Sequence, residues 1–282
     1  MFVLICLLSG LLIGVQGISY KLVSTFKYDS DRFRLILIWT GAVLAAIGVA
    51  ANHEDLANRI VLLGSAAAGV FGFIALLTIM QAMASGPVSF TWVLANLSIG
   101  VPILLSALIW AEPIRHVQWA GIGLFVLSLM LFGRDLQRNG STAVTLKWIV
   151  ISAIMFLANG SFLLCFRAVN RYTSVPHTFS ALLTTYMVCG FLLLVYSCRR
   201  LAWPRIGEIN LSLLGAAGMM GGQALIIKAL AINTASSLPI IHSTSIISVT
   251  LASVIFFKER LSKYSGGGLL FSIVSIILLT MG

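Results

Sequence analysis

The chain has 282 residues, of which 59% are hydrophobic and only 9% are charged. An average soluble domain carries about a quarter charged residues, and a soluble chain of this length could not cover so much apolar surface. Composition therefore excludes a soluble enzyme, a disordered chain and a secreted disulfide scaffold, and it predicts an all-α membrane protein.

Ten apolar stretches are long enough to cross a bilayer as helices, for which about 20 residues are needed. The first stretch lacks a basic leading region and a convincing cleavage site, so we interpret it as a retained helix rather than a signal peptide. The connections are short and leave no room for a soluble domain. The predicted transmembrane helices span residues 2–20, 33–51, 60–82, 87–110, 117–133, 148–167, 177–198, 209–231, 236–257 and 264–281.

The charges lie between these stretches or at their ends, as a lipid environment requires, and of the 18 basic residues only Lys228 lies well inside one. The net charge of +10 is scattered over short loops without a basic stripe. This distribution favours contact with membrane lipids and argues against a nucleic-acid partner. The four cysteines have no ligand spacing, so we expect no metal and no cofactor.

The chain repeats itself at an offset of 147 residues, with no gap across the last three spans of each half. This predicts two five-helix repeats, at 1–140 and 147–282. Because five is an odd number of crossings, the second repeat must enter the membrane from the opposite face, which gives the inverted repeats of secondary transporters. The matched pairs include Ser65 and Ser212, Ser98 and Ser245, Ser106 and Ser253, Glu112 and Glu259, Gly121 and Gly268, and Ser128 and Ser275.

The end of each half carries a family resemblance. Each has an Ala-rich helix end, a helix pair joined by a Glu-containing hairpin, and a Gly-led last helix; the hairpins are Ala-Glu-Pro-Ile-Arg at 111–115 and Lys-Glu-Arg-Leu-Ser at 258–262. In these features the chain resembles the ten-helix EamA-type members of the drug/metabolite transporter superfamily, although the first hairpin departs from the Glu-Arg pattern. The resemblance implies transport of amino acids, metabolites, drugs or nucleotide sugars through a pocket between the halves.

The distribution of basic residues also predicts an orientation. Thirteen Lys and Arg lie in the loops on the side opposite the termini, against four in the loops on the side of the termini. The positive-inside rule therefore places both termini outside the plasma (inner) membrane, whereas the family resemblance implies termini inside.

Polar side chains inside the spans must find partners or line a wet cavity. Equivalent helices of the two repeats carry them at similar depths, which is the arrangement that a binding site at the membrane midplane needs. No Asp or Glu lies within a span, so carboxylate-driven proton coupling has no candidate. The predicted substrate-binding residues are Gln16, Trp92, Asn96, Asn159, Tyr186, Gln223, Lys228 and His242.

Two of these residues have alternative interpretations. Lys228 could hold a carboxylate or phosphate of the substrate, or it could extend its ammonium group to the membrane interface. His242 could couple transport to protons, since imidazole titrates near neutral pH, or it could be a hydrogen-bonded packing residue. Glu112 and Glu259 are expected to anchor the hairpins rather than to catalyse a reaction.

The leading hypothesis is a secondary transporter, an exporter or exchanger of small polar or amphipathic metabolites such as amino acids or drugs. An intramembrane enzyme is the first alternative, but Asp29 and Asp31 form the only acidic pair in the first loop and no partner motif accompanies them. A channel or structural subunit is the second. The oligomeric state stays open, with a homo-oligomer as one option.

Overall fold

The computed structural model describes residues 2–111, 115–138, 145–173, 177–198, 203–232, 234–258 and 262–281. Within these ranges it leaves out the side chains at 132, 133, 135–138, 227–232, 234–239 and 280. The predicted all-α class is confirmed for the described part of the chain, which contains helices and no strand. The hairpin glutamates Glu112 and Glu259 lie outside the described residues.

Within the ranges just given, the first half contains six helical segments and the second half five. The longer helices extend past the predicted apolar stretches, because polar residues at the stretch ends continue the helical backbone. The segments are α1 Phe2–Thr25, α2 Ser30–Asn52, α3 Arg59–Ser85, α4 Val88–Leu97, α5 Gly100–Trp110, α6 His116–Arg138, α7 Leu146–Tyr172, α8 Thr178–Ser197, α9 Ile206–Ile232, α10 Thr234–Phe257 and α11 Lys263–Thr280.

The predicted span 87–110 differs from expectation, because it is broken into α4 and α5 at Ser98 and Ile99. Pro102 has no N–H to bond the Ser98 carbonyl four residues earlier. That carbonyl instead accepts from the Val101 N–H at 3.0 Å, and the Ile99 N–H bonds the Asn96 carbonyl at 3.4 Å. The helical ladder is therefore interrupted in the middle of a span.

Local side chains set several helix starts. The Asp29 carboxylate accepts from the Asp31 and Arg32 N–H groups at the start of α2, and Ser262 does the same for α11. A side-chain oxygen in this position satisfies N–H groups that have no partner within the helix. The first turns are thereby fixed at the boundaries between loop and span.

Eight helices, with α4 and α5 counted together, are long and apolar enough to cross a membrane. Two more, α6 and α11, carry shorter apolar stretches at His116–Leu131 and Lys263–Leu279. This count covers the described residues, and it agrees with a protein that crosses the membrane several times.

The two halves interlock rather than lie side by side. Helix α1 packs on α9 and α10 of the second half, and α7 packs on α3, α4 and α5 of the first. Two glycines permit close approach: a Cβ at Gly14 of α1 would collide with Ser248, and one at Gly160 of α7 would collide with Val101.

Two carboxylates connect the halves at opposite ends of the bundle. At one end, which we call the Glu54 end, Glu54 accepts from the N–H groups of Phe179 and Ser180 at 3.1 and 2.7 Å. At the other, the Glu208 end, the buried Glu208 accepts from the Asp29 N–H at 3.1 Å. Helix α1 begins and α11 ends at the Glu54 end.

Candidate functional site

A cavity of about 410 Å³ lies in the middle of the bundle, between the halves. Residues of α1–α4 and α7–α10 line it. The cavity extends toward the Glu54 end as far as Asn170, an exposed residue near the end of α7, and His177, which precedes α8. It is therefore a space shared by both halves that reaches the surface on one side.

The structure brings together seven of the eight predicted substrate-binding residues, because all seven line this cavity. They are Gln16, Trp92, Asn96, Asn159, Tyr186, Gln223 and His242. The eighth, Lys228, lies in α9, and its side chain is outside the described residues.

Asn96 of α4 fixes the orientation of His242 of α10. The Asn96 amide nitrogen donates to the Trp92 carbonyl at 2.8 Å, so its Oδ1 faces the histidine and can only accept. His242 Nδ1 lies 2.9 Å from that oxygen and must donate to it. In the neutral imidazole, Nε2 is then an acceptor. The pair presents a hydrogen-bond acceptor to the cavity.

Trp92 also connects the halves. Its indole N–H donates to the Ser245 hydroxyl of α10 at 2.9 Å, which satisfies the polar edge of a side chain that is only 5% exposed. The far side of the ring lies against Gly17 of α1, where an added Cβ would meet the ring at 2.9 Å. The remaining ring surface forms an apolar wall of the cavity.

Asn159 contacts the break between α4 and α5. Its amide nitrogen donates to the Ala95 carbonyl at 3.0 Å and to the Ser98 hydroxyl at 2.7 Å. The Ala95 carbonyl is one that the interrupted helix leaves without its usual partner, since the Ile99 N–H bonds Asn96 instead. Asn159 therefore holds the broken helix in place, besides lining the cavity.

The floor of the cavity carries two tyrosines. Tyr20 of α1 accepts a hydrogen bond from the Gln16 amide nitrogen at 2.5 Å. Tyr186 of α8 is 4% exposed, and its hydroxyl makes no hydrogen bond in the described part of the chain. An unpaired buried hydroxyl costs about 1–3 kcal/mol. The floor thus holds a donor without an acceptor.

Other polar residues at the cavity were not singled out from the sequence. Asn170, His177 and Thr178 line it toward the Glu54 end. Their positions fall between or at the ends of predicted spans, where polar residues indicate a loop. Helix α7 continues to Tyr172, and this continuation brings Asn170 to the cavity mouth.

None of the described residues that line the cavity is Asp, Glu, Lys or Arg. The described part of the wall therefore carries no carboxylate, ammonium or guanidinium group. Most of the wall is apolar, with aromatic residues such as Phe162 and Phe166 between the polar floor and the mouth. Among the described residues there is also no group of three or more His, Cys, Asp or Glu that could hold a metal ion.

Toward the Glu208 end the cavity is closed by buried apolar side chains. Five fully buried residues from α1, α2, α3, α4 and α8 belong to the core cluster that also contains the cavity floor. We call this group the plug; its members are Val23, Phe33, Met83, Val88 and Leu193.

Residues 144–281 match the model of the EamA-like transporter family. The chain carries an EamA-like domain. This confirms the family predicted from the helix ends and hairpins, which belongs to the drug/metabolite transporter superfamily. Together with the apolar helices, the domain makes this EamA-like protein a multi-pass membrane protein whose second half is similar to small-molecule transporters.

Chains of known structure also resemble this EamA-like protein, and 27 of them match. One, described only as "Crystal structure of protein", has a TM-score of 0.66 at 15% sequence identity and covers 98% of this chain and 95% of its own. At that identity the likeness shows the fold alone. The search of curated proteins found no match.

Proposed function

We propose that the protein is a secondary transporter, rather than an enzyme, that exports or exchanges small amphipathic metabolites, such as amino acids or drugs. The observation that supports this proposal most directly is the cavity between the halves. The cavity reaches the surface at Asn170 and is closed by the plug at the Glu208 end. Access from one side at a time is the basic property of alternating access.

The proposal includes two inverted five-helix repeats, at 1–140 and 147–282. A pair of hydrogen bonds between α6 and α11 supports it. Ser128 donates to the Gly268 carbonyl at 2.8 Å, and Ser275 donates to the Gly121 carbonyl at 2.7 Å. The 147-residue offset converts each of these bonds into the other, as a twofold axis between the halves requires.

The close helix contacts support the same relation. Gly14 of α1 contacts Ser248, and Gly160 of α7 contacts Val101; the offset of 147 relates Val101 to Ser248. Packing of α1 on α9 likewise corresponds to packing of α7 on α3. In this arrangement the midplane cavity lies where the two repeats meet, which is the usual location of a carrier's binding site.

The chemistry of the lining supports the substrate class. A polar floor with donors and acceptors fits a small polar group, and the apolar and aromatic wall fits a hydrophobic side chain. Without a described charge in the wall, the site favours molecules with no net charge, including zwitterions. Without a carboxylate there, we propose exchange, facilitated diffusion or histidine-linked coupling through His242.

We propose the plasma (inner) membrane as the location, with both termini outside as the basic residues indicate. The cavity would then be open to the outside in this conformation. Fusion of a reporter that is active only in the cytoplasm to Gly282 tests the orientation, and strong reporter activity would reverse it.

The transport proposal is tested by counterflow of labelled L-phenylalanine in proteoliposomes that contain the purified chain. A carrier accumulates label transiently when the liposomes are preloaded with unlabelled substrate, whereas a channel does not. Ala75 lines the cavity and Ala46 is exposed on the outside of the bundle. We expect Ala75→Phe to lower counterflow at least tenfold and Ala46→Phe to leave it unchanged.

Equal counterflow in the two phenylalanine variants would mean that the cavity is not the transport path. Flux without counterflow would favour the channel alternative. An absence of phenylalanine flux in the wild type would overturn the amino-acid substrate class.

A further inference from the structure

Arg34 of α2 is a buried charge that the cavity does not use in this conformation. The residue is 4% exposed. Among the described residues, its guanidinium makes one hydrogen bond, from Nη1 to Asp31 Oδ1 at 2.6 Å, and its buried Nε makes none. Burial of a guanidinium costs several kcal/mol unless it is fully paired, so a half-used guanidinium is unusual inside a helical bundle.

The position of Arg34 relates it to the transport path. Ile38 lines the cavity, and Arg34 lies four residues before it, one helical turn nearer the Glu208 end on the same face of α2. The neighbouring Phe33 is a plug residue, and its ring packs edge-on against the Tyr20 ring of the cavity floor, with centroids 6.1 Å apart. Arg34 thus lies just beyond the floor, on the closed side.

Tyr20 and Tyr186 both line the cavity next to α2, the helix that carries Arg34. The Tyr20 ring contacts Phe33, and a Cβ added at Gly41 of α2 would meet the Tyr186 ring at 3.4 Å. The floor region therefore contains two buried donors with unused capacity, the Arg34 Nε–H and the Tyr186 O–H. A carboxylate accepts from both kinds of donor, and a guanidinium can bind it through two parallel hydrogen bonds.

The surroundings of Asp31 allow another carboxylate to replace it on the Arg34 guanidinium. Asp31 lies in the first turn of α2, where the helix N-terminus favours negative charge, and its side chain is 16% exposed. Its carboxylate therefore keeps a favourable position at the helix start without Arg34. Replacement of the Asp31 carboxylate by a substrate carboxylate keeps the buried guanidinium paired throughout.

We propose that Arg34, together with Tyr20 and Tyr186, forms a carboxylate-binding site that becomes part of the cavity when the plug opens toward the Glu208 end. Its ligand is a small carboxylate or zwitterion with an apolar side chain, and Asp31 occupies the guanidinium while the plug is closed. This inference rests on the proposed transport function and assigns it a charged recognition site on one side only.

The test compares counterflow of L-phenylalanine with that of L-phenylalaninamide, which lacks the carboxylate. The double variant Arg34→Gln with Asp31→Asn removes both charges and leaves no buried ion unpaired. We expect it to lower phenylalanine counterflow at least tenfold and to change amide counterflow less than twofold. Arg34→Lys, which keeps the charge but loses the planar fork, should fall between the double variant and the wild type.

Arg32→Gln is the matched control, because Arg32 lies at the same end of α2 but pairs with Asp29 and Glu208. We expect it to leave the ratio of the two substrates unchanged. Equal loss of both substrates in the double variant, or unchanged phenylalanine counterflow, would overturn the Arg34 site. A wild type that carries only the amide would also overturn it, whereas a wild type that carries neither would overturn the proposed amino-acid substrate class on which the site rests.

Discussion

Asn159 can be tested as a structural support of the broken helix. In Asn159→Ala, the hydrogen bonds to the Ala95 carbonyl and the Ser98 hydroxyl disappear. Hydrogen bonds between helices in a membrane contribute about 0.6 kcal/mol on average and about 1.7 at most. The Ala95 carbonyl keeps a second donor, the Ser98 hydroxyl at 2.6 Å, so it is not left unpaired. We therefore expect a loss of about 1–2 kcal/mol in the free energy of unfolding.

The measurement is thermal unfolding of the purified chain in detergent, monitored as the fraction of the protein that stays folded after heating to each temperature. About 2–4 °C per kcal/mol applies to chains of 150–250 residues, so the midpoint should fall by roughly 2–8 °C. Asn170→Ala is the control, because Asn170 is exposed on the same helix. If the two variants unfold at the same temperature, Asn159 does not support the break and its role is confined to the cavity.

Two other features can be tested in the same unfolding assay. Gly14→Ala and Gly160→Ala place a Cβ against the partner half and should each cost about 1–3 kcal/mol, whereas Gly123→Ala, with no atom within 4 Å of the added Cβ, should be neutral; three equal midpoints would contradict the interlocked packing. Glu54→Gln weakens the hydrogen bonds at the start of α8 and should lower the free energy of unfolding by about 0.5–2 kcal/mol. Asp55→Asn affects only the hydrogen bond from the Ala57 N–H within the same loop, so it should cost less. The reverse order would refute a role for Glu54 in joining the halves.

The positions of the predicted site residues around one cavity follow from a simple physical constraint. A side chain such as Gln223 or Asn96 is costly in lipid, so its presence in an apolar stretch indicates the protein interior. The positions of the helices could also be predicted from the sequence, because long stretches of such high hydropathy have few alternatives to a transmembrane helix. Substrate binding by these residues stays a prediction.

Other features depend on tertiary contacts that the sequence does not contain. Arg34 lies beside the predicted boundary of the second span and resembles a loop cation, because hydropathy cannot tell that neighbouring helices bury it. Pro102 lies close to the break after Leu97, but a proline in a span is also compatible with a kink or an intact helix. The proline alone therefore does not predict the break. The use of Asn159 at that break required knowledge of which carbonyl lies opposite.

The interlocked halves have a consequence for how the chain is made. Helix α1 packs on α9, and about 180 residues separate Thr25 from Ile206. At roughly 5–20 residues per second, a ribosome needs on the order of 10–40 seconds to synthesise that interval. During this time the newly inserted α1 has only its smaller contacts with α2 and α3, and the glycine-rich face that later packs on α9 and α10 is open to lipid or to insertion chaperones. Biogenesis of this protein therefore depends on holding its first helices in the bilayer until the last third of the polypeptide arrives.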